Sequence, residues 1–209
     1  GLKALTTLAD SIDDGNILRL SITYNDALMN INGLVNLSKV EGNIIISENK
    51  SLQHIEGLKN LVSMGRGNLV IINNPSLENL NGLSSLASVD ELLIRKNNAI
   101  TNVDSLINLT DVGNLSIDRN LSLENLYGFS NLSTISGLYI WSNPNLRNFD
   151  GLNKIQEFKF LSIRMNDSLS NIDGLSSLTG VASTLKIAMN PALTNVNGLQ
   201  NVSTIGSES

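Results

Sequence analysis

A Gly-Leu dipeptide returns along the chain at intervals of 23 to 25 residues. It stands at Gly33, Gly57, Gly82, Gly151, Gly174 and Gly198, with Gly-Phe at Gly128 and Ser105-Leu106 in the one remaining place. The segments between these points share the form G-L-x-x-L-x-x-I-x-x-x-L-x-I-x-x-N-x-x-L-x-N-I-D. Such a period is typical of stacked repeats, each burying its apolar face against its neighbours. We therefore expect residues 1–209 to form a single solenoid domain.

Each repeat contains a short L-x-I motif, such as Leu115-Ser116-Ile117, whose period of two predicts a strand with one buried face. No repeat carries an apolar stripe with helical spacing over enough residues to form a helix. The predicted fold is therefore all-β, a right-handed parallel β-helix or leucine-rich solenoid with about eight coils. At the usual spacing between strands the stack would be roughly 40 Å long.

Asparagine follows the L-x-I strand in every repeat. This first column contains Asn25, Asn49, Asn74, Asn97, Asn120, Asn143, Asn166 and Asn190. A second column, five residues later, contains Asn30, Asn79, Asn102, Asn125, Asn148, Asn171 and Asn195, with His54 in the remaining place. Asparagine tolerates bends, and its amide both donates and accepts hydrogen bonds. We interpret the first column as a structural ladder, and His54, the only histidine, as a corner residue.

The two ends of the chain depart from the repeat. Residues 1–32 hold a first coil with an insertion over residues 9–16, which we interpret as a terminal cap. Its acidic residues also allow a calcium loop, although their spacing matches no EF-hand: Asp10, Asp13 and Asp14. The last coil, 198–209, stops before its central strand, so we expect the natural chain to continue.

Composition excludes several functions. The net charge of -5 provides no general basic field of the kind that nucleic-acid binding requires. The absence of cysteine excludes disulfides and thiolate metal sites, and no other residue pattern indicates a metal or cofactor. No apolar run approaches the length of about 20 residues needed for a transmembrane helix.

The residues beside the buried Leu and Ile of each strand should form two outward rows on one sheet face. The first row is Ser21, Ile45, Val70, Leu93, Ser116, Tyr139, Ser162 and Lys186. The second is Thr23, Ser47, Ile72, Arg95, Asp118, Trp141, Arg164 and Ala188. We expect an apolar patch formed by Ile45, Val70, Ile72 and Leu93, next to an aromatic and charged group. The candidate ligand-binding site contains Val70, Ile72 and Leu93 of the patch together with Tyr139, Trp141, Asp118, Arg164 and Arg95. Alternatively, they are ordinary strand formers and a solvated charge ladder.

The motif L-x-I-x-x-N-x-x-L-x-N-I-x-G-L-x-x-L resembles the receptor L-domain type of leucine-rich β-helix over residues 20–205. That resemblance implies a secreted or cell-surface setting and a role in binding. Receptor L domains carry cysteines, which this chain lacks, so the resemblance points to a microbial surface protein. Ordinary leucine-rich repeats with convex helices are the alternative fold.

We expect an extracellular or cell-surface adhesion module with no catalytic activity that recognises a protein or glycan through its outward sheet face. A structural spacer or wall repeat without a specific ligand is the alternative function, and a polysaccharide-acting enzyme is a more distant one. Asp118 is the only acid in the two rows, whereas glycoside hydrolysis generally requires a pair of carboxylates. Acids also recur just before the Gly-Leu position, where turns favour them: Glu56, Asp104, Asp150 and Asp173.

Overall fold

A computed structural model of the chain describes residues 7–8 and 18–206. The strands are β1 (Thr7–Leu8), β2 (Leu18–Thr23), β3 (Lys39–Val40), β4 (Asn43–Ser47), β5 (Asn68–Ile72), β6 (Ser88–Arg95), β7 (Asp111–Asp118), β8 (Thr134–Trp141), β9 (Glu157–Arg164), β10 (Gly180–Ala188) and β11 (Thr204–Ile205). Strands β2 and β4 to β11 form one parallel sheet of nine strands in chain order. Strand β1 pairs in parallel with β3. The prediction of an all-β parallel solenoid is confirmed.

Helical structure in the described residues is limited to single turns of 3-10 helix. They lie at the Gly-Leu position of the repeat: Asn32–Leu34, Glu56–Leu58, Asn81–Leu83, Asp104–Leu106, Tyr127–Phe129, Asp173–Leu175 and Asn197–Leu199. Each turn reverses the chain where glycine and small polar residues cluster. The alternative fold with convex α-helices is therefore wrong for this part of the chain.

Circular dichroism provides a direct check on this architecture. We expect a strand-dominated spectrum with a helical fraction well below about a quarter, because the helical segments are isolated three-residue turns. A spectrum with the double minimum of an α-helical protein would contradict the fold.

The interior consists of stacked apolar columns, one residue per coil in each column. Around β7, Leu115 and Ile117 point inward from the strand, and Leu123, Leu126 and Phe129 complete the coil with 1% exposure or less. Burying each such side chain contributes about 1.5 to 3 kcal/mol. The repeat period thus translates directly into a continuous core.

This core opens toward the ends of the described stack. Leu20 and Ile22 at the first coil, and Leu185 and Ile187 at the last, are only partly buried. The equivalent residues of the inner strands have a described coil on both sides and are buried. The insertion at residues 9–16, with its cap and calcium interpretations, lies outside the described residues.

The repeated glycines permit close stacking of neighbouring coils. A Cβ on Gly128 would lie less than 3.0 Å from the backbone carbonyl of Val103 in the preceding coil. The same overlap with backbone occurs at Gly57, Gly82, Gly174 and Gly198. At Gly33, in the first described coil of this series, a Cβ would meet no described atom within 4 Å. Steric contact between coils therefore explains the glycine in these five coils, while the turn at Asp104–Leu106 accommodates Ser105 in the same place.

A second backbone feature recurs immediately before each Asn of the first column. The residue there has a left-handed conformation with φ between 53° and 58°, although none is glycine: Tyr24, Glu48, Asn73, Lys96, Arg119, Ser142, Met165 and Met189. This conformation is costly for most L-residues. It persists because the ladder hydrogen bonds on the next residue hold the chain in the bend.

Candidate functional site

Strand pairing places the two outward rows in continuous register. Arg95 pairs with Asp118, Asp118 with Trp141, and Trp141 with Arg164 across β6 to β9. Leu93 and Tyr139 flank Ser116 in the other row. Because parallel strands lie about 4.8 Å apart, residues from successive coils become side-by-side neighbours.

The first Asn column is a buried hydrogen-bonded ladder. The backbone N–H of Asn97 donates to Oδ1 of Asn120 at 3.0 Å, and the N–H of Asn120 donates to Oδ1 of Asn143 at 3.0 Å. The Nδ2 of Asn120 donates to the carbonyl of Ile94 at 3.0 Å. Each inner amide thus joins adjacent coils from a fully buried position. This geometry indicates that the first Asn column stabilises the stacking of the coils.

The side chains of the second Asn column make hydrogen bonds within single coils. Oδ1 of Asn125 accepts the backbone N–H of Tyr127 at 3.3 Å, and the other asparagines of this column make the same local bond. His54 pairs with Asn30 through a backbone bridge. Its Nδ1 lies 3.9 Å from Oε1 of Glu56 at a half-exposed corner. The side-chain amides of this column thus bond within their own coils, whereas those of the first column join adjacent coils.

Trp141 is fixed by three neighbours. Its Nε1–H donates to Oγ of Ser162 at 3.0 Å. Its ring meets that of Tyr139 edge to face, with centroids 5.7 Å apart. The Cζ of Arg164 lies 5.9 Å from the centre of the Trp141 ring, within cation–π distance. The indole is half-buried and rigidly placed.

Gly137 and Phe160 belong to this cluster, although the sequence analysis did not single them out. A Cβ on Gly137 would lie 2.9 Å from Cε2 of Tyr139, so the absence of a side chain makes room for that ring. Phe160 pairs with Gly137 on the adjacent strand, and Nζ of Lys159 lies 5.6 Å from its ring centre. They belong to a third outward row, two positions before the first row in each strand, which contains Asn114, Gly137 and Phe160. The same repeat alignment predicts this third row.

Asp118 does not face solvent as the alternation predicted. It is 3% exposed, and its Oδ2 lies 2.7 Å from Nε of Arg95 and 3.7 Å from a terminal nitrogen of Arg119. A buried carboxylate requires such a partner, because leaving it unpaired is costly. Ser162 is also buried, at 8% exposure, and accepts the bond from Trp141. Asp118 and Ser162 are therefore covered by neighbouring side chains of the face and hold Arg95 and Trp141 in place.

The apolar patch lies on the same sheet face but is separate from the aromatic cluster. Val70 pairs with Ile45 and Leu93, and Ile72 ends the same strand as Val70. All four side chains are half-buried. Strand β7, which carries Ser116 and Asp118, lies between this patch and Trp141. The structure thus presents an apolar half and an aromatic, cationic half.

Within the described part of the chain, no group of three or more His, Asp or Glu side chains is arranged to hold a metal ion. A groove of about 440 Å³ lies at the 3-10 turns, away from the sheet face that carries Trp141. It is lined in part by Tyr127, Asp150 and Asp173. None of the helical turns described has the length or apolar character to cross a membrane.

The architecture defines a parallel β-solenoid built from a leucine-rich repeat, with a half-buried aromatic and cationic cluster on its sheet. No protein-family model matches the sequence, and no curated protein matches it either.

Proposed function

We propose that this protein is a non-catalytic binding module of the cell surface or extracellular space that contacts a protein or glycan through the outward sheet face. The observation that carries the proposal is the stacked group of Tyr139, Trp141 and Arg164. Aromatic and arginine side chains supply most of the binding energy in recognition surfaces. Here they stand together on a rigid sheet.

We also propose the handedness of the solenoid, its number of coils and the protein family that it resembles. We infer a right-handed β-helix of about eight coils, because parallel crossovers are right-handed in nearly all proteins. The repeat resembles that of receptor L domains, and the absence of cysteine favours a microbial surface protein within that family.

Preorganisation supports binding at this face. Trp141 is held by Ser162, and Tyr139 is seated over Gly137, so little side-chain entropy remains to be lost when a ligand docks. The neighbouring half-buried patch of Val70, Ile72 and Leu93 extends the contact area.

A structural spacer is the second candidate. It is favoured by the ion pair of Arg95 with Asp118 and by the hydrogen bond of Trp141 to Ser162, which give these side chains partners within the protein. The same ion pair favours a non-catalytic protein, since Asp118 is engaged by Arg95. Glu56, Asp104 and Asp173 open 3-10 turns, which is consistent with a structural role for these acids.

Substitutions on the face test the proposal. We expect Trp141→Ala and Tyr139→Ala each to weaken binding to ligands found on a glycan array or a panel of purified surface proteins. The loss should be about 1 kcal/mol or more, the size typical of anchor residues. Titrations that follow Trp141, the single tryptophan of the chain, would report binding by the wild type.

Tyr127→Ala is the matched control, because Tyr127 is an exposed aromatic residue of a 3-10 turn. It should leave the affinity unchanged. Trp141→Ala also loses the bond to Ser162, so binding is compared below the melting temperature of both variants. Full affinity in both face variants would place the contact elsewhere or favour the spacer.

A further inference from the structure

We propose that the ligand of this face is an anionic saccharide, whose carboxylate or sulfate groups are bound by Arg164 and Arg119 beside the rings of Trp141 and Tyr139. The inference rests on the proposed function of the same face and names its ligand class.

The protein carries a net charge of -5, yet one region of the sheet is cationic. Between β6 and β9, the second outward row and the residue following it in each coil contain four cations and one carboxylate: Arg95, Lys96, Arg119, Arg164 and Asp118. Pairing of the strands brings these residues together in adjacent coils. A local excess of positive charge on an acidic protein concentrates anions at that location.

Arg164 is positioned to donate hydrogen bonds to an anion. Its guanidinium is held against the Trp141 ring, and its Nε is buried without a hydrogen-bond acceptor. No Asp or Glu among the described residues lies within ion-pair distance of it. Arg164 as a whole is half-buried, so its guanidinium remains reachable, and the planar group matches a carboxylate or sulfate, which it can bind through two parallel hydrogen bonds.

Arg119 supplies a second contact, whereas Arg95 has a different task. Arg95 forms a close ion pair with Asp118, with Nε 2.7 Å from Oδ2, and Arg119 lies farther from that carboxylate, at 3.7 Å. The Arg119 side chain is 56% exposed. Removing Arg95 would leave a buried carboxylate unpaired, so Arg95 is a positioning residue and a poor test of binding.

The aromatic rings favour a saccharide over an acidic peptide. Tyr139 packs on Gly137 from one side and is half-buried, which leaves part of the ring facing outward beside the cations. The C–H groups of a pyranose ring pack on such a surface through dispersion and the hydrophobic effect. Arg119 and Arg164 lie two coils apart, roughly 10 Å, so a chain with repeated anionic groups can reach both.

The test uses four defined polymers: heparin as the sulfated saccharide, polygalacturonate as the carboxylated one, dextran as the neutral one, and polyglutamate as the acidic peptide. We expect binding to heparin or polygalacturonate, which of the two distinguishing sulfate from carboxylate, and none to dextran. Raising the salt concentration from about 0.05 to about 0.3 M should weaken that binding strongly, because surface charges are then screened.

Arg164→Gln and Arg119→Gln should each weaken binding of the anionic saccharide about tenfold, the usual loss for a charge-assisted hydrogen bond. Arg164→Lys should recover part of the affinity, because it restores the charge. Arg147→Gln is the matched control and should change affinity less than about twofold, since Arg147 is exposed and contacts Glu124 rather than this face. Unchanged melting curves would show that the solenoid is intact.

Three outcomes would overturn the inference: no binding to either anionic saccharide at low salt, equal binding to polyglutamate, or full affinity in the Arg164→Gln, Arg119→Gln double variant. Failure of the proposed function is distinguishable. A neutral glycan or a protein that loses affinity with Trp141→Ala, but not with the arginine variants, overturns the anionic ligand and leaves the face as the binding surface.

Discussion

Replacing Gly128 by alanine is expected to lower the free energy of unfolding by about 3 kcal/mol or more. The new methyl group would overlap the backbone carbonyl of Val103, which cannot rotate away as a flexible side chain could. The two coils would have to separate, and the hydrogen bonds between β7 and β8 would lengthen. The expected cost therefore exceeds that of ordinary helix or turn substitutions.

Gly33→Ala is the matched control, because Gly33 occupies the same place in a 3-10 turn and has open space where its methyl group would lie. We expect its effect to be within about 0.5 kcal/mol. Urea denaturation followed by circular dichroism and by fluorescence measures both variants. Equal transition midpoints for Gly128→Ala and the wild type would show that coil spacing adapts and that the glycine has no steric role.

The second large effect is expected at the buried ladder. Asn120→Ala removes the acceptor of the Asn97 N–H and the donor to the Ile94 carbonyl. Both backbone groups lie in a dry interior, and each unsatisfied group costs about 1 to 3 kcal/mol. Together they should lower the free energy of unfolding by about 2 to 4 kcal/mol.

Asn125→Ala tests whether the loss is specific to the ladder. Asn125 belongs to the same coil and is also an asparagine in a column, but it accepts only the local N–H of Tyr127 near the surface. Its replacement should cost about 1 kcal/mol or less. If thermal melts of the two variants fall by the same amount, the coil-to-coil hydrogen bonds add nothing beyond a turn.

The repeat made much of this predictable. Register in a solenoid follows from the period, so the repeat by itself predicts that Arg95, Asp118, Trp141 and Arg164 share a row, and the paired strands confirm it. The Asn ladder was predictable for the same reason. Asp118 keeps its place in the outward row, and only its expected exposure was wrong, because the long side chain of Arg95 pairs with it.

Two features depended on tertiary contacts. The left-handed bend before each ladder Asn has no residue signature, because its column includes Lys96, Arg119 and Met165. Local preference alone would disfavour this bend, and ladder hydrogen bonds from adjacent coils enforce it. The seating of Tyr139 over Gly137 depends on rotamers and on the empty space at a glycine.

The amino-acid pattern by itself determined the strand spacing, the buried columns and the residues that share a row, because period and hydrophobicity are properties of the chain. Tertiary structure alone decided which members of a row remain accessible and which partners they take. Arg95 pairs with Asp118, whereas Arg164 lies over the Trp141 ring and has no carboxylate partner among the described residues. That difference arises from distances of a few ångströms between coils, and side-chain identity does not encode such distances.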